Sequence, residues 1–155
     1  GTCYHPEMPQ SPMDLALELA AAAAAADEAP VGAVIVDSGA VLAAERNRMR
    51  ERNDPTAHAE LLAIRAALSA RGTGRLDGCD LYVTLEPCAM CAGAIAHARL
   101  RRVIYGAADP KAGAVDHGVR LFDSPSTHHH PEVVSGIGAK RAGELLKAFF
   151  ARLRE

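Results

Sequence analysis

Strand-like and helical segments alternate along almost the whole chain, and this alternation constrains the fold more than any other feature. Runs typical of β-strands occupy 31–37, 41–47, 81–84 and 102–107, with a weaker run at 131–135, and helical patterns occupy 14–28, the region around 61–68, 87–98 and 139–153. Ser38-Gly39 predicts a hairpin turn between the first two strands. Because strands that alternate with helices form one sheet covered on both faces, the order α-β-β-α-β-α-β-(β)-α predicts a three-layer α/β/α domain.

The length and composition are those of one soluble globular domain. The chain has 155 residues, of which 49% are hydrophobic and 23% charged. Residues 1–12 include three prolines and show no periodicity, so we expect a disordered leader or a cloning remnant there and a single domain over 13–155. The alanine run at 20–26 is too short to span a membrane, and the segment 48–55 is expected to be irregular.

Charge and cysteine usage restrict the environment and the partners. The formal net charge of −2 excludes general electrostatic binding of nucleic acid over the whole surface. Basic residues cluster locally at 99–102 and 140–154, where they form either a solvated helix face or an RNA-contacting patch. Of the four cysteines, two form a C-x-x-C pair and two are isolated, which is not a disulfide framework and fits a reducing cytoplasm.

Four residues have the pattern of a catalytic zinc site. His58 and Glu60 stand at the start of one predicted helix, and Cys88 and Cys91 at the start of another. A helix N-terminus favours thiolates, so both cysteines are suited to metal ligation. Two thiolates and one imidazole leave one zinc position open for water, whereas structural zinc sites have four protein ligands. Glu60 is then placed to move protons between that water and a substrate, as hydrolytic deamination requires.

Other interpretations of these residues are weaker. A lone C-x-x-C is also found in redox pairs, and a lone H-x-E occurs by chance, but Pro87 before the first cysteine and the upstream His58 and Glu60 fit a redox site poorly. The joint pattern H-x-E…P-C-x-x-C is the known signature of zinc-dependent nucleobase deaminases. The isolated Cys3 and Cys79 are expected to be inert thiols.

From about Met13 to its C-terminus the chain resembles the bacterial tRNA-specific adenosine deaminases of the cytidine/deoxycytidylate deaminase superfamily. The matching segments are 30–34, 47, 53–60, 81–95, 105–107, 109–114 and 149–150. The resemblance implies a cytidine-deaminase-like fold with a mixed five-stranded sheet and helices on both faces. It also implies a cytoplasmic homodimer with one Zn²⁺ per subunit, no organic cofactor and no membrane association. The implied reaction converts adenosine to inosine at the wobble position of an arginine tRNA anticodon.

The resemblance also assigns residues to roles. It implies zinc ligands at His58, Cys88 and Cys91, proton transfer by Glu60, and a hydrogen bond from Asn47 to a flipped-out base. The substrate-binding positions that it implies are Asn47, Ala59, Pro87, Asp109 and Phe150. An Asn or Asp in a loop is also a common turn former, so both interpretations stay open for Asn47 and Asp109. The histidine run 128–130 belongs either to a solvated loop or to an RNA groove.

Two competing functions remain. A guanine or other free-base or nucleoside deaminase would use the same zinc chemistry, and only segments 84–86 and 109–114 favour the tRNA enzymes. A non-catalytic zinc or RNA-binding module is the second alternative. The presence of Glu60, an open coordination position and Asn47 argue against it.

Overall fold

The elements follow the predicted order. The computed structural model describes residues 10–155. Helices α1 to α5 span Pro12–Ala25, Met49–Arg52, Ala59–Arg71, Ala89–Ala98 and Ala139–Leu153, and strands β1 to β5 span Gly32–Asp37, Ala40–Arg46, Cys79–Leu85, Arg102–Ala107 and Glu132–Val134. The long loop after β4 contains one 3₁₀ turn, Leu121–Asp123.

Several boundaries differ from those expected: α1 ends at Ala25 instead of residue 28, β3 begins at Cys79 instead of residue 81, and three further segments differ in kind. Segment 48–55, expected to be irregular, contains the short helix α2. The fourth helix begins at Ala89 with Cys88 as its N-cap, so Pro87 precedes the helix instead of opening it. Residues 1–9 of the expected leader lie outside the described residues. Ser11 and Pro12 belong to the start of α1, because the Ser11 hydroxyl accepts a hydrogen bond from the Asp14 amide at 3.1 Å.

The sheet is mixed and five-stranded, in the order β2-β1-β3-β4-β5, which confirms the predicted fold class. Strand β1 pairs antiparallel with β2 and β3, and β4 pairs parallel with β3 and β5. Parallel strands place their carboxyl ends at one edge of a sheet, so β3 and β4 end together. Because β1 is antiparallel to β3, its amino end and the end of β2 lie at this same edge. The functional site forms there.

Helices cover both faces of the sheet. Helices α3 and α4 pack on one face around a core that includes Ile64, Leu81, Ile95 and Val103. Helix α1 packs on the other face against β1 and β3, next to α5. None of the helices in residues 10–155 is both long and apolar enough to cross a membrane.

The alanine-rich sequence of α1 has a packing reason. Ala16, Ala20 and Ala23 are fully buried against the sheet. A Cβ on Gly32 of β1 would lie 2.0 Å from the Ala16 carbonyl oxygen. The helix backbone therefore touches the strand directly, and only small side chains on the helix and glycine on the strand allow this approach.

Candidate metal centre and substrate pocket

Two helix N-termini meet at the sheet edge and bring the predicted metal ligands together. His58 is the N-cap of α3, Cys88 is the N-cap of α4, and Cys91 lies in the first turn of α4. The His58 Nδ1 atom is 3.7 Å from Cys88 Sγ and 3.5 Å from Cys91 Sγ. All three potential ligand atoms lie within 4.8 Å of one another.

This arrangement fits a zinc ion. Zn–N and Zn–S bonds of about 2.0 and 2.3 Å at a tetrahedral angle separate nitrogen from sulfur by about 3.5 Å, close to both separations between His58 and the two cysteines. A hydrogen bond from the Cys91 thiol, together with one from His58, lowers the pKa of Cys88 to about 4 despite its burial. The same hydrogen bond and burial raise the pKa of Cys91. The lowered pKa of Cys88 favours its thiolate form, which is the form that binds a metal ion.

Glu60 lies beside these ligands in the first turn of α3. Glu60 is only 4% exposed, yet it lines the same cavity as His58 and Cys88. Burial raises the pKa of the Glu60 carboxyl to about 7. A carboxyl with such a pKa can both accept and release a proton near neutral pH, which is the property required of a proton carrier.

The side chain of Asn47 connects the end of β2 to the start of α3. Its Oδ1 atom accepts a hydrogen bond from the Ala59 amide at 2.7 Å, between two buried residues. Within residues 10–155 the side-chain Nδ2 atom of Asn47 donates no hydrogen bond to the protein, and the residue lines the cavity. The side-chain carbonyl of Asn47 thus holds the start of α3, next to its N-cap His58, while the NH₂ group remains available to a ligand.

The cavity extends from the predicted metal ligands to the protein surface and has a volume of about 770 Å³. Its lining comprises Ala29, Val31, Asn47, Met49, His58, Glu60, Leu85, Cys88, Ala108, Asp109, Lys111, Ala112, Leu146, Phe150, Leu153 and Arg154. The C-terminal half of α5 forms one wall, and the loop after β4 forms the opposite part of the mouth. A pocket of this size suits a small organic ligand or a nucleotide.

The predicted substrate-binding residues divide into two groups. Asn47, Asp109 and Phe150 line the cavity, whereas Ala59 and Pro87 are fully buried and do not. The backbone of Ala59 contacts Asn47, as described above. Asp109 is also a turn former, because its Oδ1 atom accepts hydrogen bonds from the Lys111 and Ala112 amides at 3.2 and 3.0 Å.

The histidine run 128–130 lies away from this cavity. The His129 and His130 rings contact the backbone carbonyls of Leu100 and Phe122, respectively. His128 and His129 line a separate cavity of about 420 Å³ together with residues such as Arg99. The run therefore fastens the long loop to the core and does not line the pocket that contains Glu60.

Sequence reasoning missed the structural role of Glu86. This carboxylate is 2% exposed and accepts hydrogen bonds from backbone amides of the loop after β4. Burial raises its pKa, but hydrogen bonds from Asp109 and His117 outweigh burial, so the pKa lies below its ordinary value. The residue stands next to the Pro-Cys motif, but nothing in the sequence indicates which distant amides it binds. Lys111 and Leu146 were likewise not predicted as pocket residues, and Arg154 was expected only as part of a basic cluster, either solvated or RNA-contacting.

Comparison with known proteins agrees with this geometry. Residues 6–107 match the cytidine and deoxycytidylate deaminase zinc-binding region. The chain is 55% identical to a tRNA-specific adenosine deaminase of Agrobacterium fabrum, over 92% of this chain and 93% of that protein. A solved structure of a tRNA:A34 deaminase, from work on A-to-I editing at the wobble position, is 56% identical with a TM-score of 0.86, covering 87% of this chain and 98% of that one. A solved structure of a guanine deaminase of Nitrosomonas europaea is 29% identical with a TM-score of 0.80, covering 93% of this chain and 85% of that one.

Proposed function

Because this chain belongs to the cytidine and deoxycytidylate deaminase family, and within it to the tRNA-specific adenosine deaminases, we propose that it converts adenosine to inosine at the wobble position of a tRNA anticodon. The proposed substrate is an arginine tRNA, and the proposed reaction depends on zinc. The reaction consumes one water and releases ammonia from C6 of the base.

The observation that best supports a nucleic-acid substrate is the shape and charge of the cavity. It begins at Glu60 and the metal ligands and continues outward to Lys111 and Arg154 at the surface. A free base would fill only the inner part of this volume, and cations at the mouth are suited to phosphates. Since the net charge of the protein is −2, this local pair supplies attraction that the surface as a whole does not.

His58, Cys88 and Cys91 would hold the zinc ion, which supplies a Lewis acid that makes hydroxide available from water near neutral pH. Asn47 donates its free NH₂ group to an acceptor on the purine ring and so orients the base over Glu60. Glu60 accepts the proton of the attacking water and delivers it to the ring nitrogen next to C6. The same carboxylate then takes the remaining proton from the hydroxyl added at C6 and gives it to the departing amine, so that ammonia leaves and the C6 carbonyl of inosine remains.

The walls of the cavity exclude water and hold the nucleotides beside the target. Leu146, Phe150 and Leu153 on α5 present an apolar surface, of which Phe150 is 48% exposed. An exposed aromatic ring next to the pocket offers a stacking platform for a neighbouring base. Homodimer formation and a cytoplasmic location are part of this proposal, as the family resemblance implies.

The competing function is deamination of a free base, which the structural similarity to a guanine deaminase favours. Inosine formation on an arginine tRNA anticodon stem-loop should be measured against ammonia release from guanine and cytidine, with and without a chelator. We expect inosine only in the absence of chelator. Activity confined to a free base would overturn the tRNA assignment.

Substitution of Glu60 tests the mechanism. Glu60→Ala should keep stoichiometric zinc, because Glu60 is not among the three predicted ligands, but lose several orders of magnitude in turnover. Glu18→Ala, an exposed glutamate on α1, is the matched control and should keep both zinc and activity. A fully active Glu60→Ala enzyme would contradict the assigned proton transfer.

A further inference from the structure

Glu86 is a buried carboxylate at the end of β3, and both of its oxygens bind the loop formed by residues 108–118. Oε1 accepts from the Asp109 amide at 3.0 Å and lies 2.7 Å from Nδ1 of the His117 ring. Oε2 accepts from the amides of Val115, Asp116 and His117 at 3.2, 3.0 and 3.1 Å. Five contacts from one loop to one carboxylate mean that the loop is folded around this side chain.

The loop is also fastened to the segment that contains the metal ligand Cys88. Gly113 forms an isolated antiparallel bridge with Cys88, and the Ala114 amide donates to the Pro87 carbonyl at 2.9 Å. A Cβ at Gly113 would lie 2.5 Å from the carboxyl carbon of Glu86. The backbone therefore lies directly against the carboxylate, and glycine is required for this contact.

The same loop forms part of the cavity mouth. Asp109, Lys111 and Ala112 line the cavity, and the Asp109 side chain holds the amides of the other two. A continuous series of contacts thus runs from Glu86 to Asp109 and on to Lys111. On the basis of the function proposed above, we propose that Glu86 is a positioning residue that places Asp109 and Lys111 for substrate binding.

The geometry separates this role from catalysis. Glu86 does not line the cavity, and its side chain is fully buried. A carboxylate has about four lone-pair positions, and the five donors around Glu86 occupy them. Glu86 therefore acts on substrate through the loop. A role in stability alone would not alter substrate binding by folded, zinc-loaded protein.

The test compares Glu86→Gln with Asp80→Asn. Glutamine keeps the volume of the side chain, but it replaces one acceptor oxygen by an NH₂ group that faces the backbone amide donors of the loop. Asp80 lies near the start of β3, the strand that Glu86 follows, is 9% exposed, and pairs with Arg101 through two hydrogen bonds. Both substitutions remove a charged hydrogen-bond acceptor, but only one lies against the loop. The measurements are zinc content, melting temperature, KM and kcat on the anticodon stem-loop, and hydrogen exchange of the amides in 108–118.

We expect Glu86→Gln to raise KM about tenfold and to change kcat less than about twofold, with full zinc occupancy and faster exchange in the loop. Asp80→Asn should lower the melting temperature with unchanged KM and unchanged loop exchange. A wild-type KM and loop exchange in Glu86→Gln, or a loss in kcat alone, would overturn the proposal. A wild-type protein inactive on the stem-loop would overturn the proposed function, while loop exchange would still decide whether Glu86 holds the loop.

A second variant covers the case in which Glu86→Gln does not fold. Gly113→Ala leaves the carboxylate in place and pushes the loop away from it, because the added Cβ would also lie 2.5 Å from the Asp109 carbonyl oxygen. The same rise in KM and the same faster exchange are expected. Wild-type values for both in Gly113→Ala would refute the positioning role.

Discussion

Replacing Asn47 by alanine should lower both stability and activity, whereas replacing it by aspartate should lower activity far more than stability. The side-chain carbonyl oxygen of Asn47 accepts a hydrogen bond at 2.7 Å from the backbone amide of Ala59, a residue that is 0% exposed. Alanine leaves this amide without a partner, at a cost of about 1–3 kcal/mol. In a protein of this size, a loss of about 2 kcal/mol lowers the melting temperature by about 4–8 °C.

Aspartate keeps an acceptor for the Ala59 amide, and a negative charge is favourable at the N-terminus of α3. It replaces the NH₂ donor by an oxygen, which would face an acceptor on the base. Loss of that donated bond is worth about 2 kcal/mol, or roughly thirtyfold in kcat/KM, and repulsion adds to this. The melting temperature of Asn47→Asp should therefore lie nearer to the wild type than to Asn47→Ala.

The assay combines thermal unfolding of the zinc-loaded variants with kcat/KM for inosine formation on the stem-loop. Zinc content is measured first, so that a loss of metal is not mistaken for a loss of base recognition. An Asn47→Asp enzyme with wild-type kcat/KM would refute the assigned donor role. An Asn47→Ala protein with a wild-type melting temperature would refute the role of the carbonyl.

Three further substitutions probe the packing, the metal site and a buried ionisable group. Gly32→Ala should lower the melting temperature markedly, since its Cβ would lie 2.0 Å from the α1 backbone. The control is Gly74→Ala, whose Cβ would have no atom within 4 Å. Equal melting temperatures for the two variants would contradict this packing. Cys88→Ala should lose zinc and stability together, because metal binding is coupled to folding. The control is Cys79→Ala, at a buried cysteine outside the metal cluster, and it should keep its zinc. An unchanged zinc content in Cys88→Ala, by metal analysis, would exclude Cys88 as a ligand. Burial, aided by a neighbouring carboxylate, raises the pKa of Tyr105, so the folded state holds this proton more tightly than the unfolded chain and stability falls as pH rises above about 10. Tyr105→Phe should lose less stability than the wild type between about pH 9 and 11 in urea titrations, and parallel losses would show that Tyr105 does not contribute.

The cluster of His58, Cys88 and Cys91 could be predicted from the sequence, because the pattern of these residues at two helix starts is local. His58 and Cys88 each stand at a helix start, where capping position and spacing from Glu60 and Cys91 determine which groups share a face. Hydrophobic periodicity likewise depends on neighbours along the chain, so the order of strands and helices was predicted correctly. The short helix α2 was missed because four polar residues show no periodicity.

Contacts between distant segments were decided by the tertiary structure alone. Glu86 binds amides more than twenty residues away, and its partners depend on how the loop after β4 returns to the end of β3. The cavity wall from α5, including the unpredicted Leu146, depends on the packing of that helix beside the sheet edge. The contact of α1 with Gly32 depends on which strand the helix covers. Periodicity and capping follow from backbone geometry over a few residues, whereas these contacts follow from the packing of the whole core, which no short stretch of sequence contains.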